Sequence, residues 1–506
     1  MSLRHFTFMD LFKRNAQICP RAVACVSERE TMTYAQLFQE SCALQAGLLR
    51  SGFQAGERIA VLARNSYHFF PLFAAVGALG GILVLINRRL SQNEIQEILT
   101  DTSPRMLITD EDVSQSSLDL MKDCLNIRSH IVIGEGGHQS YQDLLKTGPA
   151  DPSSQSGDAF QTCRDDPFAI IHTAAVFGKP RGAVLSQENL FLSSLQLAFA
   201  LNLTPADCYL NMLPLFHIMG INLALAMMLA GGNNVIMPQF DAPQAAEWIS
   251  RHRVSLLGTF PPMLGKLLEA LPSSREYVHS LRHVLGLEQA ATIEQCQQAT
   301  GATFWSMYGQ TETSGLVTFS PFNQRPGSAG RPGALVGVKI VDEFDRDLPP
   351  GSTGEILIQG PLVFQGYWQQ PELNALTFRE DWHHTGDLGV VDEDGFVFFK
   401  GRKAEKDLIK SGGENVFPVE VEKIILEHPA VLETSVIGIP DTTYGEGIKA
   451  VCVLHPEQVL SEQELILFVG AKIAGYKKPR CVEFIDALPK TEQGTIDRVS
   501  VKERYG

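Results

Sequence analysis

The chain has 506 residues and a formal net charge of −15 at pH 7. This length is enough for two or more domains with a large core, and 44% hydrophobic with 20% charged residues is typical of a globular protein. The acidic balance argues against nonspecific binding to nucleic acids or anionic membranes, although a locally basic pocket could still bind an anionic ligand.

The nine cysteines are scattered without a CxxC pair. This usage is typical of reduced thiols in a cytoplasmic protein and disfavours a zinc site or a disulfide framework. The start, MSLRHFTFMDLF, has no long apolar run, so no secretory signal is predicted. The stretch PLFAAVGALGGILVLI is short for a membrane span and is interpreted as a core helix followed by a buried strand.

Strand-like and helix-like segments alternate along the first half of the chain. A helical pattern covers residues 91–100, and residues 147–166 are rich in Pro, Ser, Gly and Asp, which predicts a loop. The alternation predicts an α/β fold with largely parallel sheets. The strand-like runs are RIAVLA, GILVLI, RMLITD, HIVIG, FAIIHT and NNVIMP.

The pattern changes after Val338. The short runs VKIVD, GEILIQG and GFVFFKG are separated by turns such as DEDG, which predicts an antiparallel β unit. From Lys403 onward a last segment has its own α+β pattern. We therefore place a domain boundary at GRKAEKD, giving an N-terminal domain of residues 1–401 and a C-terminal domain of residues 402–506.

Residues 170–190, IIHTAAVFGKPRGAVLSQENL, have part of the character of a phosphate-binding loop. A buried strand is followed by the turn GKPRG with two cations, and Ser186 is a plausible N-cap of the next helix. Such loops offer backbone N–H groups, hydroxyls and a cation to anionic oxygens. Because AAVF (residues 174–177) supplies no hydroxyl and no glycine, a surface turn between strand and helix remains an equally open interpretation of this stretch alone.

Three further motifs follow in order: WSMYGQTETSG (305–315), WHHTGDLGVVDEDGFVFFKGRKAEKDLIKSGGENVFPVEVE (382–422) and LPKTEQGTIDR (488–498). Together with the loop they closely resemble the adenylate-forming superfamily of acyl-CoA synthetases, firefly luciferase and peptide-synthetase adenylation domains. MTYAQLFQ, INRRLSQNEI, LPLFHIMG, GEILIQGPLVFQGYW and VIGIPDTTYGEGIKAVCV also fit, so the resemblance covers nearly the whole chain. SGGENVFPVEVE is most similar to acid–CoA ligases.

The resemblance implies a fold and a reaction. The fold is a large N-terminal domain of two α/β sheets plus a distorted β-barrel, with a small mobile α+β C-terminal domain. In the reaction, a small carboxylic acid attacks ATP to give an acyl-adenylate and pyrophosphate. The small domain then rotates, and CoA attacks the adenylate. ATP or AMP, CoA and Mg²⁺ are the expected ligands, and many relatives self-associate, so a homodimer is possible.

The resemblance also assigns roles to the YGQTE motif. Tyr308 would lie against adenine, Thr311 would contact the α-phosphate, and Glu312 would be catalytic as the Mg²⁺ ligand. A magnesium ion beside phosphate typically takes one or two protein carboxylates, so a single Glu is consistent with this role. Asp387 in TGD would accept hydrogen bonds from both ribose hydroxyls, and Arg402 would lie near the ribose. The alternative interpretation of each motif is a polar turn after a strand.

His217, in PLFHIMG, would be a catalytic gate at the border of the acyl pocket, although a packed core histidine is the alternative.

The hinge would be Lys406 and Asp407, in a GRKAEKD segment two residues longer than the usual GRxKD. The implied acyl-pocket residues are Phe216, His217, Met219, Gly220 and Gly315. The implied nucleotide-binding residues are Thr173, Gly178, Lys179, Gly286, Tyr308, Gly309, Thr311, Asp387 and Arg402. The implied CoA-side residues are Ser411, Gly412 and Gly413.

Three departures from the family pattern concern the first half-reaction. TAAVFGKPRG replaces TSGTTGKPKG, which removes groups that bind the β- and γ-phosphates. Thr495 stands where PKTxxGKIxR has its catalytic lysine, a cation worth on the order of 3 kcal/mol in the transition state. GLEQA, with Glu288, replaces GGAPL after Gly286.

These losses leave three hypotheses. The protein is an ATP-dependent acyl- or aryl-CoA ligase, or an enzyme that transfers a preformed acyl-adenylate to CoA with a separate adenylating partner, or a noncatalytic nucleotide or acyl-CoA binding module. A domain that loads a carrier protein is a less favoured fourth reading. The sequence does not identify the carboxylic acid substrate, because NMLPLFHIMGINLALAMMLAGG is consistent with both an apolar acyl pocket and a core helix.

Overall fold

The computed structural model describes most of the chain. The described residues are 5–113, 120–121, 124–134, 139–146, 162–173, 181–271, 278–403, 408–491 and 495–506. Two parts of the predicted site lie outside them: residues 174–180 of the phosphate loop, with Gly178 and Lys179, and the hinge pair Lys406 and Asp407.

The predicted N-cap at Ser186 is confirmed, and several other α-helices also begin at a capping side chain. Ser91, Ser186 and Ser461 each accept a hydrogen bond at a helix N-terminus. Among the described residues, no helix combines the length and apolarity needed to cross a bilayer. The helices are α1 (Phe8–Ile18), α2 (Tyr34–Arg50), α3 (Phe69–Ala78), α4 (Gln92–Thr102), α5 (Tyr141–Lys146), α6 (Gln187–Ala200), α7 (Ile218–Ala230), α8 (Ala242–Arg251), α9 (Met263–Ala270), α10 (Ala290–Thr300), α11 (Pro371–Thr377), α12 (Pro418–Ile425), α13 (Glu462–Gly470) and α14 (Arg498–Tyr505).

The strands fall into four sheets. They are β1 (Val23–Val26), β2 (Thr31–Thr33), β3 (Arg58–Leu62), β4 (Ile82–Leu85), β5 (Met106–Asp110), β6 (Ser129–Ile133), β7 (Pro167–Thr173), β8 (Arg181–Ser186), β9 (Cys208–Asn211), β10 (Asn233–Ile236), β11 (Leu256–Thr259), β12 (His283–Gly286), β13 (Thr303–Gln310), β14 (Gly315–Pro321), β15 (Arg331–Pro332), β16 (Gly337–Val341), β17 (Gly354–Gln359), β18 (Gly366–Tyr367), β19 (Phe378–Arg379), β20 (Trp382–Val391), β21 (Val397–Arg402), β22 (Ile409–Ser411), β23 (Glu414–Val416), β24 (Val431–Asp441), β25 (Gly445–Leu454) and β26 (Cys481–Phe484).

Two large sheets form the N-terminal domain. The nine-stranded sheet has the order β15-β14-β13-β12-β11-β9-β10-β1-β2, and its strands from β13 to β1 are parallel. The seven-stranded sheet has the order β18-β8-β7-β4-β3-β5-β6, with a parallel centre from β7 to β6. The six strand-like runs are confirmed as β3, β4, β5, β6, β7 and β10.

Helices pack between the two sheets. The main hydrophobic core joins residues of α1, α2, α3, α6 and α7 to both sheets, with fully buried side chains such as Phe8, Tyr34, Phe73 and Tyr209. Outer helices cover the far faces: α8, α9 and α10 pack on the nine-stranded sheet, and α4 packs on the seven-stranded sheet. This layering buries both faces of each parallel sheet, as such sheets require.

The last two sheets complete the chain. The third sheet is antiparallel, with the order β16-β17-β20-β19 and β21 paired to β20, and it is the unit for which the family resemblance implied a distorted barrel. The fourth sheet, β23-β22-β25-β24 with β26, packs against α12 and α13. The predicted α/β fold with a large N-terminal and a smaller C-terminal domain is confirmed. The boundary near residue 402 stays a prediction, consistent with the change of sheet between Arg402 and Ile409.

Candidate active site

A cavity of about 1010 Å³ lies at the carboxyl ends of the parallel strands of the nine-stranded sheet. Leu213, Phe260, Leu287 and Gln310, which follow or end β9, β11, β12 and β13, all line it. Open α/β sheets bind ligands at this edge, because the loops that follow the strands converge there. The third sheet and the C-terminal domain close the cavity from the other side.

Glu312 is a fixed carboxylate in this cavity. It lies in the 3₁₀ turn Thr311–Thr313 and is 9% exposed. The Tyr367 hydroxyl donates to Glu312 Oε1 at 2.9 Å, and the Thr173 hydroxyl lies 3.5 Å from the same oxygen. Burial and then the nearby carboxylate raise the pKa of Tyr367 well above its usual value, so this donor keeps its proton.

The surroundings of Glu312 fit a magnesium ion held together with phosphate. Among the described residues, no group of three or more His, Cys, Asp or Glu side chains could hold a metal ion by itself. A buried single carboxylate beside a hydroxyl suits Mg²⁺, which takes few protein ligands when substrate phosphate supplies the others.

Asp387 lies on the third sheet, where its carboxylate is 5% exposed and faces the YGQTE turn. Its Oδ2 accepts hydrogen bonds from the Tyr308 hydroxyl at 2.8 Å and from Gln310 Nε2 at 2.5 Å. Arg402 is its cross-strand partner in the pairing of β20 with β21. The structure therefore brings together Tyr308, Asp387 and Arg402, which are 94 residues apart at most, as the predicted nucleotide site requires.

Glu355 fixes the turn that presents Asp387. It accepts hydrogen bonds from the Gly386 backbone at 2.9 Å and from Lys403 Nζ at 2.7 Å, and His384 Nδ1 lies 3.2 Å away. Burial alone would raise the pKa of Glu355, but the contacts with His384, Lys403 and Gly386 lower it to about 2. A permanently charged Glu355 thus anchors the segment that leads into the predicted hinge.

His217 is the N-cap residue of α7 and lies at the cavity wall with 35% of its side chain exposed. This exposure disfavours the alternative of a packed core histidine. Gly220, in the first turn of the helix, has no room for a side chain, because a Cβ there would lie 2.2 Å from the Pro214 carbonyl oxygen. The buried side chain of Asn65 holds the PLFH turn through Leu213 O and Leu215 N, both at 2.8 Å.

The apolar stripe of α7 belongs mainly to the core. Residues 221–228 are all buried, and their apolar members from Ile221 to Met228 have no exposed surface. Residues 218–220, in the first turn, line the cavity. The structure thus favours the core-helix interpretation for most of NMLPLFHIMGINLALAMMLAGG and leaves a short wall for the predicted acyl pocket.

The SGGEN segment forms a β-hairpin that reaches into the cavity. Gly412 and Gly413 have φ values of 58° and 84°, as a two-residue hairpin turn with two left-handed positions demands. A Cβ at Gly413 would lie 3.1 Å from Phe260 of the N-terminal domain, and one at Gly412 would lie 3.0 Å from Tyr444. The predicted CoA-side glycines are therefore packed between the two domains.

Glu414, at the end of this hairpin, is the centre of the Glu414 cluster, which we define as Glu414, His217, Arg89 and Asn87. Its carboxylate lies 3.1 Å from His217 Nε2, 3.0 Å from Arg89 Nη1 and 3.2 Å from Asn87 Nδ2. Burial would raise the pKa of Glu414, but the charges of His217 and Arg89 hold it below its usual value. The cluster joins a side-chain carboxylate of the C-terminal domain to His217, the predicted catalytic gate of the N-terminal domain.

A second ion cluster crosses the same interface. The Lys477 cluster consists of Lys477, Glu94 and Glu420. Lys477 Nζ lies 2.5 Å from Glu94 Oε1, in the N-terminal domain, and 2.8 Å from Glu420 Oε2, in α12. The lysine side chain is 6% exposed, and the Ala474 backbone also donates to Glu94 at 3.1 Å. Burial lowers the pKa of Lys477, but the two carboxylates reverse this effect and raise it, so the ammonium stays charged.

Glu288 lies at the end of β12, beside the predicted adenine site. The Thr259 hydroxyl donates to its Oε1 at 3.3 Å, and burial raises the pKa of Glu288 to about 7. Gly286 is packed closely, because a Cβ there would lie 2.3 Å from the Thr259 carbonyl oxygen. Gly286 is thus packed against the neighbouring strand with an ionisable group two residues away, and its contact with adenine stays a prediction.

Thr495 lies away from the cavity. It is exposed and pairs with Thr491, whose hydroxyl is 2.8 Å from its own. The neighbouring Lys490 forms an ion pair with Glu433 at 2.6 Å. In this domain arrangement the hairpin of residues 409–416 faces the cavity, and the described residues of the PKTEQGTIDR segment, 489–491 and 495–498, do not line it.

Several residues of the site were not assigned roles from the sequence. Three of them lie within quoted motifs: Tyr367 in GYW, Arg89 in INRR and Glu414 in SGGEN. Motif matching did not predict that Tyr367 contacts Glu312 or that Arg89 contacts Glu414. Lys477 lies in YKKP, outside every motif used. A cation or carboxylate within a motif that fits the family is the available signal for Arg89 and Glu414, and only the folded structure identifies the partner of each.

Comparisons with known proteins identify the family. The profile of the AMP-binding enzyme family matches residues 12–368, and that of the AMP-binding enzyme C-terminal domain matches residues 420–495. The chain belongs to the AMP-binding enzyme family. A 2-succinylbenzoate–CoA ligase of Geobacillus kaustophilus is 31% identical over 503 residues, covering 98% of each chain.

Two further similarities are to ligases that differ from each other in the acceptor of the acyl group, a carrier protein in one and CoA in the other. A fatty acid–[acyl-carrier-protein] ligase of Streptomyces coeruleorubidus is 32% identical and covers 97% of this chain and 95% of its own. A solved double mutant of the o-succinylbenzoate CoA synthetase of Bacillus subtilis, bound to a product analogue, superposes with a TM-score of 0.84 at 28% identity, covering 97% of this chain and 98% of its own.

The expected superfamily and enzyme class are confirmed. Profiles of both the AMP-binding enzyme and its C-terminal domain match the chain, and the relatives named above are acid–thiol ligases or a carrier-protein counterpart. Membership of an AMP-binding ligase family implies use of ATP or AMP together with a thiol acceptor. The individual site residues and their roles remain predictions.

Proposed function

We propose that this protein joins a carboxylic acid to CoA through an acyl-adenylate, and that its site is built best for the second half-reaction. The observation that carries the proposal is the hairpin of residues 409–416, seated in the cavity with Glu414 against His217. In this arrangement the C-terminal domain contributes one wall of the cavity, including Lys423 and Lys472. These cations suit the phosphates of CoA.

The thioester step needs a fixed adenylate and an open path for the thiol. Tyr308 and Asp387 would hold the adenosine, and Thr311 would contact the phosphate. The CoA thiol gives up its proton to solvent, its sulfur attacks the acyl carbonyl carbon to form a C–S bond, and the C–O bond to phosphate breaks so that AMP leaves with the electron pair. His217, fixed by Glu414, would border the attacked carbon. A Mg²⁺ ion at Glu312 would neutralise phosphate charge when bound.

The adenylation half-reaction has weaker support. Thr495 offers no cation at the position where the family resemblance implies a catalytic lysine. The altered loop, AAVF, falls outside the described residues. The second candidate is therefore an enzyme that accepts a preformed acyl-adenylate from another protein and transfers the acyl group to CoA. A noncatalytic nucleotide or acyl-CoA binding module is the third.

The deciding experiment is a mass-spectrometric search for thioesters in parallel mixtures. One contains ATP, Mg²⁺, CoA and a panel of acids. Another contains CoA and the matching synthetic acyl-adenylates without ATP, and a third replaces CoA by a phosphopantetheinylated carrier protein. Product in the first two supports a complete ligase, and product in the second alone supports acyl transfer without adenylation. No thioester in any mixture contradicts both enzymatic proposals.

Restoring the lost cation tests the adenylation half. In Thr495→Lys we expect pyrophosphate release with the best acid to rise by about 100-fold, because a transition-state cation is worth on the order of 3 kcal/mol. Thr491→Lys is the matched control, since it adds the same charge four residues earlier. An unchanged rate in Thr495→Lys, with thioester formation from acyl-adenylate intact, would mean that the phosphate loop limits adenylation.

A further inference from the structure

The two ends of helix α4 contact different parts of the molecule. Glu94, the third residue of the helix, accepts a hydrogen bond from the Ser91 backbone at 2.8 Å and so closes the capping box of its first turn. The same carboxylate accepts from Lys477 Nζ at 2.5 Å and from the Ala474 backbone at 3.1 Å. The group that caps α4 is therefore also a docking point of the C-terminal domain.

The other end of α4 binds two segments of the N-terminal domain. Asp101 lies seven residues after Glu94, close to two helical turns, so the two residues share one face of the helix. His172 Nε2 donates to Asp101 Oδ2 at 3.1 Å, and Trp368 Nε1 donates to the Asp101 carbonyl oxygen at 3.3 Å. The imidazole is nearly buried, with 5% of its side chain exposed. Asp101 thus joins two segments that are far apart in the sequence.

The neighbours of these two residues hold Glu312. Thr173 comes after His172, at the end of β7. Tyr367 comes before Trp368, at the end of β18. The Tyr367 hydroxyl donates to Glu312 Oε1 at 2.9 Å, and the Thr173 hydroxyl lies 3.5 Å from the same oxygen. The last turn of α4 therefore binds both segments that position the predicted Mg²⁺ carboxylate.

The helix is fixed between its two ends. The side chains that it buries against the seven-stranded sheet are Ile95, Ile98 and Leu99. Arg58 donates to the carbonyl oxygens of Thr102 at 2.7 Å and Ser103 at 2.9 Å, where the helix has no partners of its own for them. The same guanidinium lies 5.7 Å from the centre of the Trp368 ring. A shift of the first turn is therefore transmitted along α4 to the segments at its end.

We propose that Asp101 is a positioning residue for Glu312, and that α4 couples this position to the docking of the C-terminal domain at Glu94. This inference rests on the proposed function, since it takes Glu312 as the carboxylate that meets the nucleotide phosphate. Coupling between two sites requires a packed, rigid element that both sites contact. The bond from Lys477 requires the C-terminal domain in this position, so docking fixes one end of α4 and thereby the two segments at the other.

The first test measures AMP affinity by calorimetry in the presence of Mg²⁺. Asp101→Leu removes the acceptor for His172 and should weaken AMP binding by about tenfold, because the loss of a group that orients a metal ligand costs about 10- to 100-fold. Asp101→Asn is the matched control. It keeps an acceptor oxygen in the same place and should bind AMP within about twofold of the wild type. His172→Phe removes the donor instead and should reproduce the loss, so it decides the matter if Asp101→Leu does not fold.

A double variant separates positioning from a general structural role. If Asp101 acts through Glu312, adding Asp101→Leu to Glu312→Gln should leave AMP affinity at the value of Glu312→Gln alone. An equal loss from Asp101→Leu in both backgrounds would overturn the proposal, as would unchanged affinity in Asp101→Leu and His172→Phe. These measurements need no turnover, so the positioning role can stand even when the transfer assays of the proposed function give no thioester.

The second test measures hydrogen exchange without any ligand, so it tests the coupling even if the wild type does not bind AMP. Glu94→Gln weakens docking but keeps the helix cap, since Gln also closes a capping box. Exchange in peptides of residues 168–173 and 364–368 should become about threefold faster. Glu414→Gln is the control, because it breaks the other ion cluster of the interface and leaves the Glu94 bonds in place. Unchanged rates in Glu94→Gln, or equal increases in both variants, would show that docking does not reach Glu312 through α4.

Discussion

The floor and the mouth of the cavity are built from different chemistry. The floor is formed by Asn222, Ser193, Ser194 and the backbone carbonyl of Ser314, which are neutral, lie in one domain and satisfy the Asn222 amide with hydrogen bonds. The mouth carries the Glu414 and Lys477 clusters, which are charged and cross between the two domains. A neutral, satisfied network fixes a shape, whereas a buried ion cluster leaves an uncompensated charge when one partner departs. The floor therefore suits substrate selection, and the mouth makes activity depend on where the C-terminal domain is docked.

The largest effect is expected at Glu414. Glu414→Gln removes the charge that faces Arg89 and His217, so the gate loses its orientation and Arg89 loses its counter-charge. We expect acyl transfer from acyl-adenylate to CoA to fall by about 100-fold. Glu483→Gln is the control, because the Lys449–Glu483 pair, at 2.9 Å, lies wholly in the C-terminal domain. Equal losses in both variants would argue against a role specific to the mouth.

The Lys477 cluster should give a smaller, coupled effect. Lys477→Met places Glu94 and Glu420 side by side without their ammonium, and we expect a rise of about tenfold in the KM for CoA with a smaller change in kcat. The double variant Glu94→Gln/Lys477→Met should recover part of this loss, since it removes the uncompensated carboxylate. If the free-energy losses of the single variants Glu94→Gln and Lys477→Met simply add up in the double variant, the two residues do not act together across the interface.

Glu288 should give a pH-dependent stability effect. Its pKa is about 7 in the folded protein, above the usual value of 4.5, because it is buried. The folded state therefore binds the proton more tightly, and the stabilisation present below pH 4.5 is lost as the pH rises to about 7. Glu288→Gln should be more stable than the wild type at pH 8, by about 2 kcal/mol, and should lose this advantage near pH 4. Melting curves across this range check the sign.

The smallest effect is expected at the floor. Ser194→Ala removes one hydrogen bond to Asn222 Oδ1 without opening the pocket. We expect a loss of about 1 kcal/mol in unfolding free energy and an unchanged preference for acyl-chain length. Denaturant unfolding and acyl transfer from acyl-adenylates of increasing chain length measure the two quantities. A changed preference here would mean that hydrogen bonding, rather than the volume of Asn222, defines the floor.

Much of this molecule could be predicted from its sequence. The alternation of β-branched runs with helical patterns predicted the α/β fold, and six runs became strands at the expected places. The ordered motifs predicted the family, which the comparisons confirm. Tyr308 and Glu312 are four residues apart, so their proximity follows from the sequence alone. Tyr308 lies near the end of β13, and Glu312 lies in the turn that follows it. The roles of these residues stay predictions.

The tertiary structure decided what lies opposite each motif. His217 meets Glu414 at a separation of 197 residues, and Glu94 meets Lys477 at 383. It also decided that the apolar stripe of α7 is mostly core, and that Thr495 faces away while the SGGEN hairpin faces the cavity. Sequence periodicity indicates which side of a helix or strand is apolar, but it does not identify the element that packs against that side. The partner is set by how the domains pack, and long-range packing has no local signal in the chain.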